Sequence, residues 1–388
     1  MDDGITRLED IGAALYESAQ PPLVTIYSPT HGLEARTTDR RRFEEKAARA
    51  RERLAQRFER RERAGADRLL ERLAERFDEL AGPSADGALA AFVSNEGAFV
   101  CNLDRHVEPI VVVGDAFLVR PLLKELGFGS RYLLLGLSAD RFALIRGSFG
   151  SLERVKLPAD VPGTYSEEFP DVYDGRPGAL DYPSLENHLP PYHGHKSRND
   201  VRNEEAEKFF RSVNEAVSER LARETEAPVI LVALPEHQTA FRRISTIPHL
   251  LDEGIEKDVG GLSARELLDE AKGVIERERA RRADRLLAGF GDAAAHGRGV
   301  CDLSAIGLSL AERRVRALFV AEDADVPGVF DAETGEVSLI ERGPHERFEG
   351  PELADQFARA ALAQDAEVFE LDPEKIPGGS GMAALYRY

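Results

Sequence analysis

The segment His193-Gly194-His195-Lys196-Ser197 sets two imidazoles, an amine and a hydroxyl around one glycine. With His188 it brings three histidines into eight residues, and a His-x-His loop can offer two metal ligands, with Asp181 or Glu186 as further candidates. No helical spacing completes a recognised metal motif, so solvated or RNA-facing loop residues are the plainer reading. His195 is also a candidate general base for attack by water, because an imidazole titrates near neutrality. Lys196-Ser197 has the look of a phosphate-binding loop, but His195 stands where that loop requires glycine, which excludes nucleotide binding there. The stretches Gly307 to Ala311 and Gly136 to Asp140 each lack the second glycine of a nucleophile elbow and read as ordinary element ends.

A second candidate is a basic run. From Arg36 to Arg63 there are 12 Lys or Arg against 6 Asp or Glu, inside a chain of net charge −19. Arg and Glu at helical spacing make either a solvated face with i,i+4 pairs or a stripe that faces nucleic acid. The aromatics Phe43 and Phe58 fall on the predicted buried face, so stacking on bases is not indicated. Strong overall acidity excludes indiscriminate coating of nucleic acid, because phosphate repulsion must be overcome by a local basic surface. Cys101 and Cys301 are too few for a disulfide framework and wrongly spaced for a zinc knuckle, which fits a reducing cytoplasm. An acidic N-terminus and the absence of a long apolar run argue against a signal peptide and a membrane span. With 8 Lys against 43 Arg, the basic residues are nearly all arginine, a bias expected of a GC-rich genome.

These residues need elements to position them, and 388 residues exceed one core, so two or three domains are expected. "PPLVTIYSP" reads as a strand that opens the first domain. Apolar positions Phe43, Ala47, Ala50, Leu54 and Phe58, then Leu69, Leu73, Phe77 and Leu80, recur at helical steps and predict two helices with a bend near Gly65. Strands follow at Leu89 to Ser94 and Glu108 to Val113, then a short helix around Leu118 to Leu126 and a boundary at "GFGSR".

A three-strand meander is predicted from Tyr132 to about Pro158. Seven prolines between Pro158 and His193 mark a long irregular loop, which runs into a helix whose buried face is Ala206, Phe210, Val213, Val217 and Leu221. "PVILVAL" suits the middle of a sheet. Ser263 with Glu266 forms a capping box that opens a long helix. From about Gly289 strand and helix patterns alternate: "RALFVAE", a hairpin across Glu333 to Gly335, a helix from Glu352 to Gln364, "AEVFEL" and "AALYRY" predict a small α/β sandwich.

A Gly-containing tip followed by Ser and a charged helix, from His193 to Val217, resembles the middle domain of archaeal and eukaryotic class-one release factors. There the tip is Gly-Gly-Gln, followed by Ser. With "VTIYSPTH", "FLVRPLLKEL" and "GGSGMAALYRY", the chain is similar to the bacterial archaeo-eukaryotic release factor (baeRF) family. The resemblance implies an α/β protein of three domains: a degenerate release-factor N-terminal domain (1–130), a ribonuclease-H-like middle domain (131–287) with a long 158–196 loop, and an L7Ae-like α/β sandwich (288–388). It implies a cytoplasmic factor of the termination or rescue type. Its partners would be the ribosome, through rRNA and possible tRNA contacts, and an unidentified GTPase, with no cofactor, membrane or DNA. On that resemblance Gly194, His195, Lys196 and Ser197 take the tip positions, and the candidate RNA contacts are Arg40, Arg41, Arg42, Arg198 and Arg202.

Departures from the pattern bear on activity. Only Gly194 of the Gly-Gly-Gln triplet is present, and nothing matches the family's Asn-Ile-Lys-Ser codon-reading loop. Pelota-like rescue factors share the architecture without Gly-Gly-Gln, so ribosome binding without peptide release is the expectation. A competing reading gives the ribonuclease-H-like domain a metal-dependent nuclease role through Asp140 and Asp200. A third makes the C-terminal domain a docking module for protein or RNA.

Overall fold

A computed structural model describes residues 4–7, 15, 20–148, 151–157, 163–164, 198–224, 227–341 and 352–388. The chain divides into two compact units, Met1–Ser130 with Arg281–Tyr388, and Arg131–Ala280. Among the described residues no helix is long and apolar enough to cross a membrane.

In the first unit, β1 (Ile5–Arg7), β2 (Leu23–Thr30), β3 (Gly87–Val93), β4 (Ala98–Leu103) and β5 (Ile110–Gly114) form one sheet in the order β1-β4-β3-β2-β5. Only β1 and β4 run parallel; the other pairs are antiparallel. The strand read from "PPLVTIYSP" is β2, and all eight of its residues are buried. Its alternation is two-sided: Val24 and Ile26 enter the core under α1 (Arg36–Arg57), α2 (Ala64–Glu75) and the short α3 (Phe77–Leu80), while Thr25 and Tyr27 bond the Leu118 backbone. The α1 core face is Phe43, Ala47, Ala50 and Leu54, as the spacing predicts.

Two local expectations need correction. The bend lies at Phe58–Arg63, where Phe58 is extended, and not at Gly65, which sits in the first turn of α2. Gly65 is needed for contact instead, since a Cβ there would run into the Asn95 backbone. The predicted helix at 118–126 is a 3-10 turn at Arg120–Leu122 with Pro121 inside it. Its leading amides are taken by a distant carboxylate: Val119 and Arg120 N–H donate to Asp355 at 2.7 and 2.8 Å.

Asp355 lies on α9 (Leu353–Leu362) in the chain's C-terminal part, together with α7 (Phe290–Ala295) and α8 (Leu303–Ala311). There β10 (Gly299–Val300), β11 (Val315–Ala321), β14 (Glu367–Leu371) and β15 (Met382–Tyr386) form a sheet ordered β10-β15-β11-β14. The predicted hairpin is β12 (Gly328–Phe330) with β13 (Val337–Leu339). Asp355 is buried, and Arg359 donates to it at 3.1 Å. Arg120 caps the same junction: its guanidinium bonds Glu352 at 3.0 Å and the carbonyls of Ala321, Glu322 and Ala324, with Glu370 at 3.8 Å. The two ends of the sequence therefore share one buried polar joint.

The second unit holds β6 (Arg131–Leu137), β7 (Phe142–Ser148) and β8 (Ser151–Arg154), the predicted meander, with β9 (Val229–Val232) in the order β8-β7-β6-β9. Successive residues of β6 face opposite ways. Leu133, Leu135 and Leu137 meet Phe209, Phe210 and Val213 of α4 (Arg198–Glu224) and Phe241 of α5 (Pro235–Arg242). Tyr132 and Leu134 meet Leu267, Ala271 and Val274 of α6 (Ala264–Ala288). β9 pairs parallel with β6 and is last in strand order, not central. Its outer edge is satisfied all the same: Leu251 and Ile255 N–H donate to the carbonyls of Val229 and Leu231 at 2.8 Å, so an irregular segment covers it. That explains the wholly apolar sequence of β9.

Candidate nucleic-acid interface

The tip residues Gly194, His195, Lys196 and Ser197 lie outside the described residues, as do His188, His193, Asp181 and Glu186. Arg198 and Arg202 fall in the first turns of α4, and their side chains, like that of Asp200, are outside the described set. From Ala206 onward α4 is anchored by Phe209 and Phe210, each 1 % exposed, and Phe210 packs edge-on against Phe241. The helix that the tip enters is thus fixed to its sheet by aromatic burial.

Asp140 occupies the turn between β6 and β7. Ser138 Oγ donates to its carboxylate at 2.9 Å, and Arg141 Nε stands 3.4 Å away. Those contacts account for the carboxylate as a turn cap. Among the described residues no group of three or more His, Cys, Asp or Glu is placed to hold a metal. An open cleft of about 420 Å³ lined by Lys257, Glu266, Asp269, Glu270, Gly273 and Arg277 is crossed by its own ion pair, Lys257 to Glu270 at 2.6 Å.

The basic run divides into paired and differently held cations. Arg40 donates to Asp78 at 2.8 Å, Arg51 to Glu71 at 2.8 Å, and Arg63 to Asp67. Arg41 lies 3.6 Å from Glu45 and is 81 % exposed. This side of the helix is the ion-paired surface that helical spacing allows. Arg53 and Arg57 instead donate to the carbonyls of Val111 and Val113 on β5.

Sequence reasoning missed a dyad beside this run. His31 follows β2, Gly32 turns the chain with φ 84, and α1 begins at Arg36. Asp39 in the first turn of α1 has a side chain only 1 % exposed. One carboxylate oxygen accepts the His31 backbone N–H at 2.7 Å and the other meets His31 Nδ1 at 2.7 Å. A carboxylate at that distance places the Nδ1 proton between them, which leaves Nε2 as the outward nitrogen. The ring is 44 % exposed, and Arg42 stands beside it, with its guanidinium 3.3 Å from Nδ1 and 3.6 Å from Asp39. The legible signal was a histidine at a strand end, a glycine turn, and an aspartate eight residues on at a helix start.

Residues 129–283 match the model of Bacterial archaeo-eukaryotic release factor family 8. The archaeal translation termination factor aRF1 is 15 % identical, with 96 % of this chain and 95 % of that one covered, at a TM-score of 0.22. The Pelota protein of Thermoplasma acidophilum is 13 % identical over 78 % of this chain and 80 % of its own, at 0.22. Dom34 of S. cerevisiae, a translation termination-like factor, is 9 % identical over 78 % and 80 %, at 0.35. No curated protein sequence matches the chain.

Proposed function

We propose that the protein acts on ribosomes as a termination or rescue type factor that does not release peptide efficiently. The observation that carries this reading is the release-factor family match across residues 129–283. A sheet covered on both faces by α4, α5 and α6 supports a ribonuclease-H-like middle domain at 131–287. The β11 to β15 sheet with α8 and α9 supports an L7Ae-like domain at 288–388, and the sheet of β1 to β5 a release-factor N-terminal domain at 1–130. The 158–196 loop then carries the tip toward the peptidyl-transferase centre, with rRNA and tRNA as partners in the cytoplasm.

Efficient release is not expected from Gly194-His195-Lys196. A β-carbon and imidazole at 195 restrict the backbone and fill space that approach to the ester requires. Lys196 supplies a flexible cation for phosphate contact. The test pairs co-sedimentation with empty, stalled and terminating ribosomes at low salt with release of labelled peptide from loaded ribosomes. Salt-sensitive co-sedimentation without release is expected. Failure to co-sediment removes the ribosomal reading; robust release that His195→Ala abolishes makes His195 the catalytic residue.

A further inference from the structure

The β12–β13 hairpin is open on one side. Seven large hydrophobic side chains are exposed among the described residues, and three of them belong to this hairpin: Val329 at 47 %, Leu339 at 65 % and Ile340 at 37 %. A fourth, Leu308 on α8, abuts its turn, since a Cβ on Gly335 would run into the Leu308 backbone. β12 and β13 pair with each other and with no further described strand. Two bonds fix which groups turn outward. Asp331 N–H donates to the Glu336 carbonyl and Ile340 N–H to that of Pro327, both at 3.0 Å, so in this register Val329 and Ser338 exchange bonds while residues 328, 330, 337 and 339 point away from the pair. On β12 those groups are taken: Phe330 N–H donates to Gln356 Oε1 at 2.9 Å, and Gln356 Nε2 donates to the Gly328 carbonyl at 2.8 Å. On β13 the outward amides and carbonyls of Val337 and Leu339 meet no described partner.

The charge around this edge is of one sign. From Val326 to Glu341 the chain has four carboxylates, Asp331, Glu333, Glu336 and Glu341, and no Lys or Arg. All four are exposed, and none makes an ion pair with a described residue. Natural sheets cover an open apolar edge or blunt it with Lys or Pro. Here apolar and acidic side chains select what covers it. Nucleic acid is repelled by the carboxylates. A second copy would bring the same four carboxylates to the contact, and like charges across a strand pair are destabilising. An extended cationic segment meets both requirements, because a strand supplies the backbone bonds while its side chains alternate. One set falls beside Leu339, on the face that holds Val337 and Phe330; the other falls beside Glu336 and Ser338, on the opposite face.

We propose that the free edge of β13 takes up, as a third strand, an extended peptide of a partner protein in which Lys or Arg alternates with apolar residues. Its apolar residues lie beside Leu339 and its cations beside Glu336. Val337 and Leu339 offer it two donors and two acceptors, and Gln356 closes the other edge of the hairpin, so the peptide has one side to join. Nothing in this surface depends on the ribosomal reading.

The test titrates the full chain into a labelled nine-residue peptide in which Lys alternates with Val, read by fluorescence anisotropy across a salt series. The unmodified protein is expected to bind this peptide, more weakly as salt rises. It should bind neither the N-methylated form, which keeps every side chain and loses the backbone donors, nor the form with Glu in place of Lys. Leu339→Pro removes an outward N–H without touching the β12–β13 ladder, and should weaken binding by about fivefold, the worth of one hydrogen bond. Glu333→Gln/Glu336→Gln should weaken it by about threefold and flatten the salt dependence. Glu34→Gln/Glu96→Gln, which removes the same charge from exposed sites elsewhere, should change nothing. Undiminished binding of the N-methylated peptide overturns the proposal with no variant having to fold. Equal losses in the two charge variants overturn it as unspecific attraction to an acidic chain. Self-association in sedimentation that Leu339→Pro abolishes gives the edge to a second copy and overturns it too, as does a failure of the Lys–Val peptide to bind at all.

Discussion

Replacing Asp355 with Ala should be among the costliest single changes in the first unit. The carboxylate accepts two backbone N–H groups at 2.7 and 2.8 Å and the Arg359 guanidinium at 3.1 Å. Truncation leaves two amides with no acceptor in a buried place, at about 1–3 kcal/mol each. Arg359 also loses its carboxylate. Against this stands relief of a buried charge, since burial pushes the Asp355 carboxyl up and Arg359 with the two amides only partly offset it. The expected net loss is about 3 kcal/mol. Asp355→Asn keeps an oxygen that can accept from both amides, so about 1 kcal/mol is expected there. Cys101 is buried in this unit and residues 131–280 hold no cysteine, so labelling of Cys101 in a urea series, with half-buried Cys301 replaced by Ser, reports its unfolding. The reasoning fails if the Ala variant loses under about 1 kcal/mol, or if Asn costs as much as Ala.

The same joint sets a pH dependence. Burial raises the carboxyls of Glu352 and Glu370, and Arg120 lowers them only in part. With folded values above unfolded ones, the folded state holds more protons in that window, so the first unit should lose stability as pH rises through it; a Glu352→Gln/Glu370→Gln variant with the same slope from pH 5 to 7 contradicts this. Ser263 holds the Glu266 carboxyl below its ordinary range, chiefly through the hydroxyl bond at 2.7 Å and next through the Ser263 backbone N–H at 2.9 Å. Ser263→Ala should move the NMR titration midpoint of Glu266 upward, and an unmoved midpoint refutes the capping box. Gly147 lies opposite Tyr132 in the β6–β7 register, and a Cβ there would enter the tyrosine ring. Overpacking at about 1–3 kcal/mol should outweigh the gain of roughly 0.5–1 kcal/mol from replacing a strand glycine, so Gly147→Ala should destabilise the second unit, and a neutral result in urea unfolding counts against it.

Where one periodicity governed a segment, the sequence was a good guide. The α1 stripe, the meander of β6 to β8, the Ser263 box and the hairpin around Glu333 to Gly335 all rest on contacts within a few residues. What failed depended on distant partners. Nothing local in "FLVRPLLKEL" announces that its amides belong to a carboxylate 236 residues away, and so a helix was expected where a 3-10 turn forms. β9 looked central because its far edge is covered by a segment with no strand pattern of its own. His31 and Asp39 escaped notice for a related reason. Each is an ordinary polar residue at an element end, and only the Gly32 turn sets one ring nitrogen against one buried oxygen.

The joint at Asp355 also imposes an order on synthesis. The N-terminal core, from Val24 to Val113, can close as soon as its own strands have emerged. The Val119–Arg120 turn cannot, because the carboxylate that satisfies its amides is made 236 and 235 residues later. At roughly 5–20 residues per second, that interval is on the order of 10–50 s, during which residues 131–280 are made. A nascent chain therefore carries an open seam on its first-made part until the helix Leu353–Leu362 arrives to close it.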